Sequence, residues 1–423
     1  MPHAGEAPPT TPNPSEFRWE AARGEPGFFR AVPDTIGRWW LVDAQDGAFF
    51  CRAVHGVRAM APTDAANDAL GAASGVVVPD PAARLRRWGF NAVGAGGRGV
   101  GQADGLAFFA TADFCQEGPL IRAPGARLPD VFASDWPRRA ADYALTVCAP
   151  LAEERAVVGW LSDDDLGWAQ PAPAHSARPT LLQICLSLEP GFAAYHAAWE
   201  FTLALHGGKI AAVARAWGVP LANKEVLREL TRTEQGIATR GYLRDTARWT
   251  REFARRYFAA TSAAIRAADP HHLLLGARSA GPAGDSVRAE GVYPSIDVPL
   301  IGWNELPAAA AGTVASGPVL ADNVCWTDEE FLRAPAGTSR RLTTVERMLR
   351  RGRAALERAA RHPAVVGYVW RQWLDEPGEE PPFASGLVHA NGAEAREHTE
   401  LLAEINARAM ALRCAPAAEI LSV

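Results

Sequence analysis

Short apolar runs recur along the chain, each closed by glycine or polar positions and followed by a stretch in which apolar residues return every three or four positions. Runs of that length predict buried strands and the 3.6-residue period predicts helices, so their alternation predicts a parallel sheet. Residues 37–43 and 48–57 flank a Gln45-Asp46-Gly47 turn, which predicts a hairpin whose second arm runs into strand one. Residues 81–89 predict a short helix stopped by Gly89, 90–94 strand two, 106–110 strand three, 138–153 a helix and 157–161 strand four. Residues 170–240 break the rhythm with a Pro/Ala loop, a helix over 192–217 and a polar stretch. Residues 242–268 predict a long helix stopped at Asp269-Pro270. Strand five follows at 272–278, strand six at 297–303, strand seven at 318–324, a helix at 340–361, strand eight at 364–373 and a last helix at 393–412. Eight such repeats predict a (β/α)8 TIM barrel with an N-terminal β-hairpin extension and a long insertion after strand four.

Composition narrows this picture without redirecting it. The 423 residues include 48% hydrophobic and 22% charged positions, enough for a large core, and one elaborated barrel accounts for the length. Residues 1–26 form a Pro-rich lead of low hydropathy expected to stay flexible, which leaves 27–423 as a single domain with 170–240 as a rim insertion. A net charge of −5 with interspersed arginines gives no basic face for nucleic acid, so no nucleic-acid partner is expected. Six cysteines lie scattered without a C-x-x-C pair, so no zinc ribbon, metal or other cofactor is expected. The glycine-rich segment 94–101 lacks the Gly-Lys-Ser ending of a phosphate loop and is expected to be a rim loop. No signal peptide or long apolar span is visible, which predicts a soluble cytoplasmic protein without a membrane partner; the oligomeric state is not legible.

The chemistry concentrates where a barrel would need it. Catalytic side chains of such barrels stand at the C-terminal ends of strands. Strand four ends in Asp163, Asp164 and Asp165 with Trp168 just beyond; strand five ends at Arg278; strand six at Trp303, Asn304 and Glu305. Strand seven ends at Asp322, Asn323 and Trp326, strand eight at Arg371, Trp373 and Asp375, and His55 ends strand one. Paired carboxyl groups across a cleft are what glycosidic bond cleavage requires, one to protonate the leaving oxygen and one to act as nucleophile or to activate water. Tryptophan faces suit the apolar faces of sugar rings, although those inside strands also suit a core. Asp165 with Asp322 or Glu305 are the expected catalytic groups. His55, Asp163, Asp164, Trp168, Arg278, Trp303, Asn304, Asn323, Trp326, Arg371, Trp373 and Asp375 are the expected carbohydrate-binding groups.

Several motifs, in order, resemble the agarase-like glycoside hydrolases of the retaining (β/α)8 clan: residues 37–43 before a Phe-Phe pair, Trp88-Gly89-Phe90-Asn91, residues 128–132, residues 159–168, Asp269 to Arg278, and residues 366–370 with Asp375. The resemblance covers about Phe28 to Met410. It implies a barrel acting on a poly- or oligosaccharide, with an acid/base Glu closing a strand-four Asp-Asn-Glu motif and a nucleophilic Glu ending strand seven. Asp165 falls at the first of these positions and Asn323 at the second, with Asp322 one residue earlier. The departure keeps three readings open: a glycosidase with a rearranged carboxylate pair, a catalytically degenerate carbohydrate-binding barrel, and a sugar-active enzyme of another reaction type such as transfer or elimination.

Overall fold

The computed structural model describes residues 11–58, 80–171, 178–281, 283–303, 305–306, 317–327, 344–379 and 383–415. Its central sheet holds eight parallel strands, numbered here β1 (Cys51–Val54), β2 (Ala92–Val93), β3 (Ala107–Thr111), β4 (Val157–Leu161), β5 (Leu273–Gly276), β6 (Leu300–Gly302), β7 (Val319–Val324) and β8 (Val365–Trp370). They hydrogen-bond in the order β5-β4-β3-β2-β1-β8-β7-β6. Between β5 and β6 the ring is drawn together by Asp297 and Val298, whose amides donate to the Leu274 carbonyl at 3.0 and 3.1 Å. The protein is therefore the expected (β/α)8 barrel.

Two apolar layers hold it. Inward residues of alternate strands, among them Cys51, Ala53, Phe109, Val158, Leu161, Leu273, Leu275, Leu320 and Val369, fill the barrel interior. A larger cluster joins the outward strand residues to the helices. Trp160 and Trp370 belong to this outer layer, their indole N–H groups donating to Asp269 at 2.7 Å and to the Ser385 carbonyl at 3.0 Å. Burying such rings with the N–H satisfied is a core arrangement.

The N-terminal segment closes the barrel at the end opposite the site. Arg30–Pro33, Trp39–Val42 and Ala48–Phe49 form an antiparallel three-stranded sheet, and Phe29, Ala31 and Leu41 join the interior cluster. The Trp39 amide donates to Pro363 before β8, and Phe28 stacks on His271 before β5. The expected second hairpin arm is thus two strands, Ala48–Phe49 and β1. Packing starts ahead of residue 26: Pro14–Glu16 and Trp19–Ala21 form single helical turns, and Phe17 is buried.

The insertion after β4 is helical. The apolar period expected as one helix over 192–217 forms two, Ala193–Leu205 and Ile210–Trp217, because Gly207 and Gly208 take positive φ of 63° and 77° and turn the chain. The segment expected as a rim loop at 94–101 enters a short helix, Arg98–Asp104. Helix α1 (Arg240–Ala268) buries Trp249, Phe253, Tyr257 and Phe258 along one face, and its Tyr257 hydroxyl reaches Ser162 and Asp163 just past β4. No helix among the described residues is long and apolar enough to cross a membrane.

Candidate active site

Strand β4 leaves its register at the acidic triplet. The amide of Arg278 donates to the Asp163 carbonyl at 3.0 Å, and the amide of Leu166 donates to the Arg278 carbonyl at 2.9 Å. Asp164 and Asp165 are thereby bulged out between two backbone clamps, and Asp165 takes a φ of +70°. Short acids tolerate that left-handed conformation better than most residues. The bulge sends the three acids three ways.

Asp163 turns into the protein and is fully buried, accepting from the Cys115 amide at 2.8 Å and from the Tyr257 hydroxyl. Burial pushes its carboxyl up, to about 8, against the lowering effect of those two donors; proximity to Asp113 pushes it the same way as burial. Asp164, half-buried, accepts from Arg278 Nη1 at 2.5 Å. Asp165 is exposed and lines a cavity of about 390 Å³ at the barrel mouth, with no hydrogen bond or ion pair among the described residues.

Strand β7 breaks register in the same manner, between Ala321 and Val324, and Asn323 there has a φ of +52°. Asp322 lines the cavity but is only 3% exposed. Its Oδ1 lies 2.7 Å from Nε2 of His55 at the end of β1. The Ala95 amide donates to His55 Nδ1 at 2.9 Å, so Nδ1 is an acceptor and the neutral ring carries its proton on Nε2, pointed at Asp322. Burial pushes His55 below its usual range and the Arg278 charge adds to this, outweighing the pull of Asp322. Burial would raise Asp322, but His55, Arg278 and the Asn323 amide together hold it below the ordinary carboxylate range. At neutral pH the pair is a neutral imidazole donating to a carboxylate.

Arg278 connects the two strand ends. Besides Asp164, its guanidinium donates from Nη2 to Asn323 Oδ1 at 3.0 Å, and its Nε stands 3.8 Å from Asp322 Oδ2. One rigid fork thus touches the ends of β4 and β7. Across the cavity, Glu305 after β6 is ion-paired to Arg288, which also holds Asp285 at 2.6 Å, and Arg371 donates to Glu376 at 2.7 Å. The remaining lining is mostly apolar, with Trp168, Phe258, Leu275, Val287, Val292, Ile301 and Trp303 beside the polar Ser279 and Gln372.

Of the expected site residues, the cavity brings together Asp165, Asp322, Glu305, Trp168, Arg278, Trp303, Asn323 and Arg371. Asn304 lies outside the described residues. Asp163, Asp164 and His55 stand behind the lining. Trp326 is buried, its indole N–H donating to His398 at 2.9 Å, and Trp373 is buried against Trp88. Asp375 accepts from the Gly386 amide at 3.1 Å and lies 2.8 Å from His389, tying Gln372–Leu374 to Gly386–Val388. Trp326, Trp373 and Asp375 are therefore not among the lining residues. Arg288 and Phe258 line the cavity without having been expected to, and Glu376, a candidate strand-eight end group, lines it as well. Phe258 was visible in the sequence only as one apolar position of a long helix, and Arg288 sits in a short helical turn, Arg288–Val292, with no local signal at all.

One group among the described residues has metal-ligand spacing: Asp113, Cys115 and Asp163, whose donor atoms lie within 4.8 Å of one another. Burial holds the Cys115 thiol well above its usual range, Asp163 is raised, and Arg127 already pairs with Asp113 at 3.2 Å. Both carboxyl groups of the set already have protein partners, Asp163 in the Cys115 amide and the Tyr257 hydroxyl and Asp113 in Arg127.

Neither a protein-family model nor a curated protein matches the chain. Solved structures do. An exo-β-agarase aligns with a TM-score of 0.63 at 17% identity, over 92% of this chain and 66% of its own. The agarase AgWH50C gives 0.65 at 17%, over 93% and 67%. BpGH50 gives 0.65 at 16%, over 97% and 90%. The chain spans about two thirds of the length of the first two. At such identities the likeness is one of architecture: this protein shares its fold with those structures.

Proposed function

We propose that the protein is a glycoside hydrolase that binds carbohydrate in the cavity at the ends of β4 to β7, with Asp165 as general acid and Asp322 as the anion beneath the anomeric carbon. The observation that carries this reading is that both carboxyl groups line one cavity from two different strand ends. One is exposed and unpaired, able to trade a proton with a leaving group; the other is buried and held ionised by His55 and Arg278. Two carboxyl groups in such unlike surroundings suit an acid and an anion in glycosidic cleavage. Glu305 is the weaker partner because Arg288 already occupies it. Trp303 in the lining suits a sugar face, whereas Trp168 lies behind it, buried and stacked on Phe258. The neighbouring proteins are agarases by name, but the Asp322-Asn323 end of β7 argues for a glycoside other than theirs.

A carbohydrate-binding barrel without turnover is the second reading, favoured by Arg278, which bridges Asp164 and Asn323 across the mouth. Asp165→Asn separates the two. Hydrolysis predicts a loss in kcat of about 10²–10⁴ with KM little changed, and a smaller loss on an aryl glycoside whose phenolate leaves without a proton. Unchanged turnover in the variant would overturn the assignment of the acid. A wild-type protein that binds oligosaccharide but releases no reducing ends would overturn hydrolysis in favour of binding.

A further inference from the structure

We infer that the substrate carries a 2-acetamido group on the sugar at the scissile bond, and that its carbonyl oxygen, not a protein carboxylate, is the nucleophile. This rests on the hydrolase reading above and narrows its substrate class. A protein nucleophile must be free to bond to the anomeric carbon, with its acid partner about 5–5.5 Å away. At the end of β7, Asn323 has an amide, which cannot do this. Asp322 is a short side chain, 3% exposed, with Oδ1 bound by His55 at 2.7 Å and Oδ2 facing Arg278 Nε at 3.8 Å. Forming a covalent bond through Oδ2 would remove the negative charge that His55 and Arg278 stand around it to balance. Glu305 is committed to Arg288.

An anion fixed in this way is suited to a different task. It can accept one N–H hydrogen bond in a set direction and stabilise a positive charge beside it, which is what an acetamido group needs when its oxygen attacks C1 and closes an oxazolinium ring. Asn323 complements this. A guanidinium offers only donors, so Arg278 fixes Asn323 Oδ1 towards itself and leaves the Nδ2 hydrogens to hold the acetamido oxygen in place. Ala277, Ala283, Leu300 and Trp303 in the lining give the acetamido methyl a small apolar wall, backed by the buried Phe258, Val287 and Ile301. A 2-hydroxyl group offers that wall nothing.

The steps balance. The acetamido oxygen bonds to C1 as the C1–O glycosidic bond breaks; the leaving oxygen takes the proton of the Asp165 carboxyl, and the charged N–H of the oxazolinium rests on the Asp322 carboxylate. Water then attacks C1 and gives its proton to Asp165. The ring C1–O bond returns its electrons to the amide, and the sugar leaves with its anomeric configuration retained.

The test uses the full chain and a panel of 4-methylumbelliferyl glycosides, each 2-acetamido sugar beside its 2-hydroxy counterpart. Expected is at least a hundredfold preference in kcat/KM for the acetamido member. Fluorination of the acetamido methyl should lower kcat progressively, because it withdraws electrons from the attacking oxygen. A thiazoline analogue of the oxazolinium should bind about 10² times more tightly than the free N-acetyl sugar, or better. Equal turnover of 2-hydroxy glycosides, or a kcat indifferent to fluorination, overturns this inference and leaves the hydrolase reading standing. Turnover of no glycoside overturns both.

Discussion

Asp163→Asn tests whether the acidic triplet is divided as the geometry has it. In the native protein the Asp163 carboxyl is fully buried and raised from 3.8 to about 8, first by burial and then by Asp113, the Cys115 amide and Tyr257 hydroxyl opposing. The folded state therefore keeps a proton that the unfolded chain releases at lower pH. A group raised on folding stabilises the native state fully below its unfolded pKa, and that contribution is lost as pH rises towards the folded value. Each pH unit within this window removes about 1.4 kcal/mol. Between pH 5 and pH 7 the loss is at most about 3 kcal/mol, reduced where Asp113, whose own carboxyl is lowered, shares the proton. Asparagine keeps an acceptor for the Cys115 amide and offers Nδ2 to the Tyr257 oxygen, whose hydroxyl still reaches Ser162 at 2.9 Å. It has nothing to titrate. Urea unfolding of both proteins at pH 5, 6, 7 and 8, read at constant m, should show the variant gaining on the wild type by about 1 kcal/mol per unit. Because both proteins share every other titrating group, the difference isolates this site. Stability curves that run parallel across the range would refute a proton held at Asp163.

The other expectations concern the support of Asp322. His55→Ala removes the donor that helps keep the carboxyl low, so the acid limb of the pH–rate profile should move upward, and an unmoved limb would mean that His55 does not govern Asp322. At Gly94 a Cβ would fall on the His55 ring and press on Val369, so Gly94→Ala should reproduce the His55→Ala shift while costing about 1–3 kcal/mol in urea unfolding. Arg278→Lys should lose nearly as much activity as Arg278→Met, because an ammonium cannot hold Asp164 and Asn323 at once; rescue by lysine would show that only the charge matters.

Strand β4 is legible to the residue, because Val157–Leu161 is apolar throughout and stops abruptly at acids. The barrel rhythm is legible for the same reason, and so is the clustering of polar groups at strand ends. What the triplet does with its three carboxyl groups is not, since nothing in Asp-Asp-Asp says which residue bulges; Arg278, more than a hundred residues later, decides it through its backbone. The His55 to Asp322 contact, with a sequence separation of 267, is equally invisible to local pattern. Trp373 and Asp375 mislead because the chain after β8 forms a second short strand, Gln372–Leu374, and its pairing with Gly386–Val388 turns both side chains away from the mouth. Alternation continues past the barrel strand, and the residues that look like strand-end groups belong to another sheet.

The two candidate acids lie where the barrel gives up regularity. Register breaks at β4 and β7 leave Asp165 and Asn323 in the left-handed region, a conformation that costs a non-glycine residue of order 1 kcal/mol or more and persists only when its surroundings impose it. Arg278 is what imposes it here. Its backbone amide and carbonyl clamp both sides of the β4 bulge, and its side chain holds Asn323 in the β7 bulge. The same residue draws off Asp164 and helps keep Asp322 ionised, so of the acids at these two strand ends Asp165 is the one at the cavity without a partner among the described residues. Shape and charge at the mouth thus meet in one residue, the β4 bulge through its backbone and the β7 bulge and the charge through its side chain. A variant that replaces the Arg278 side chain should change the pH profile and the backbone at the end of β7 while the backbone clamp on β4 persists, whereas His55→Ala should change the pH profile alone. Amide exchange at Leu166 and Val324, measured beside the pH–rate profile for the two variants, separates these outcomes.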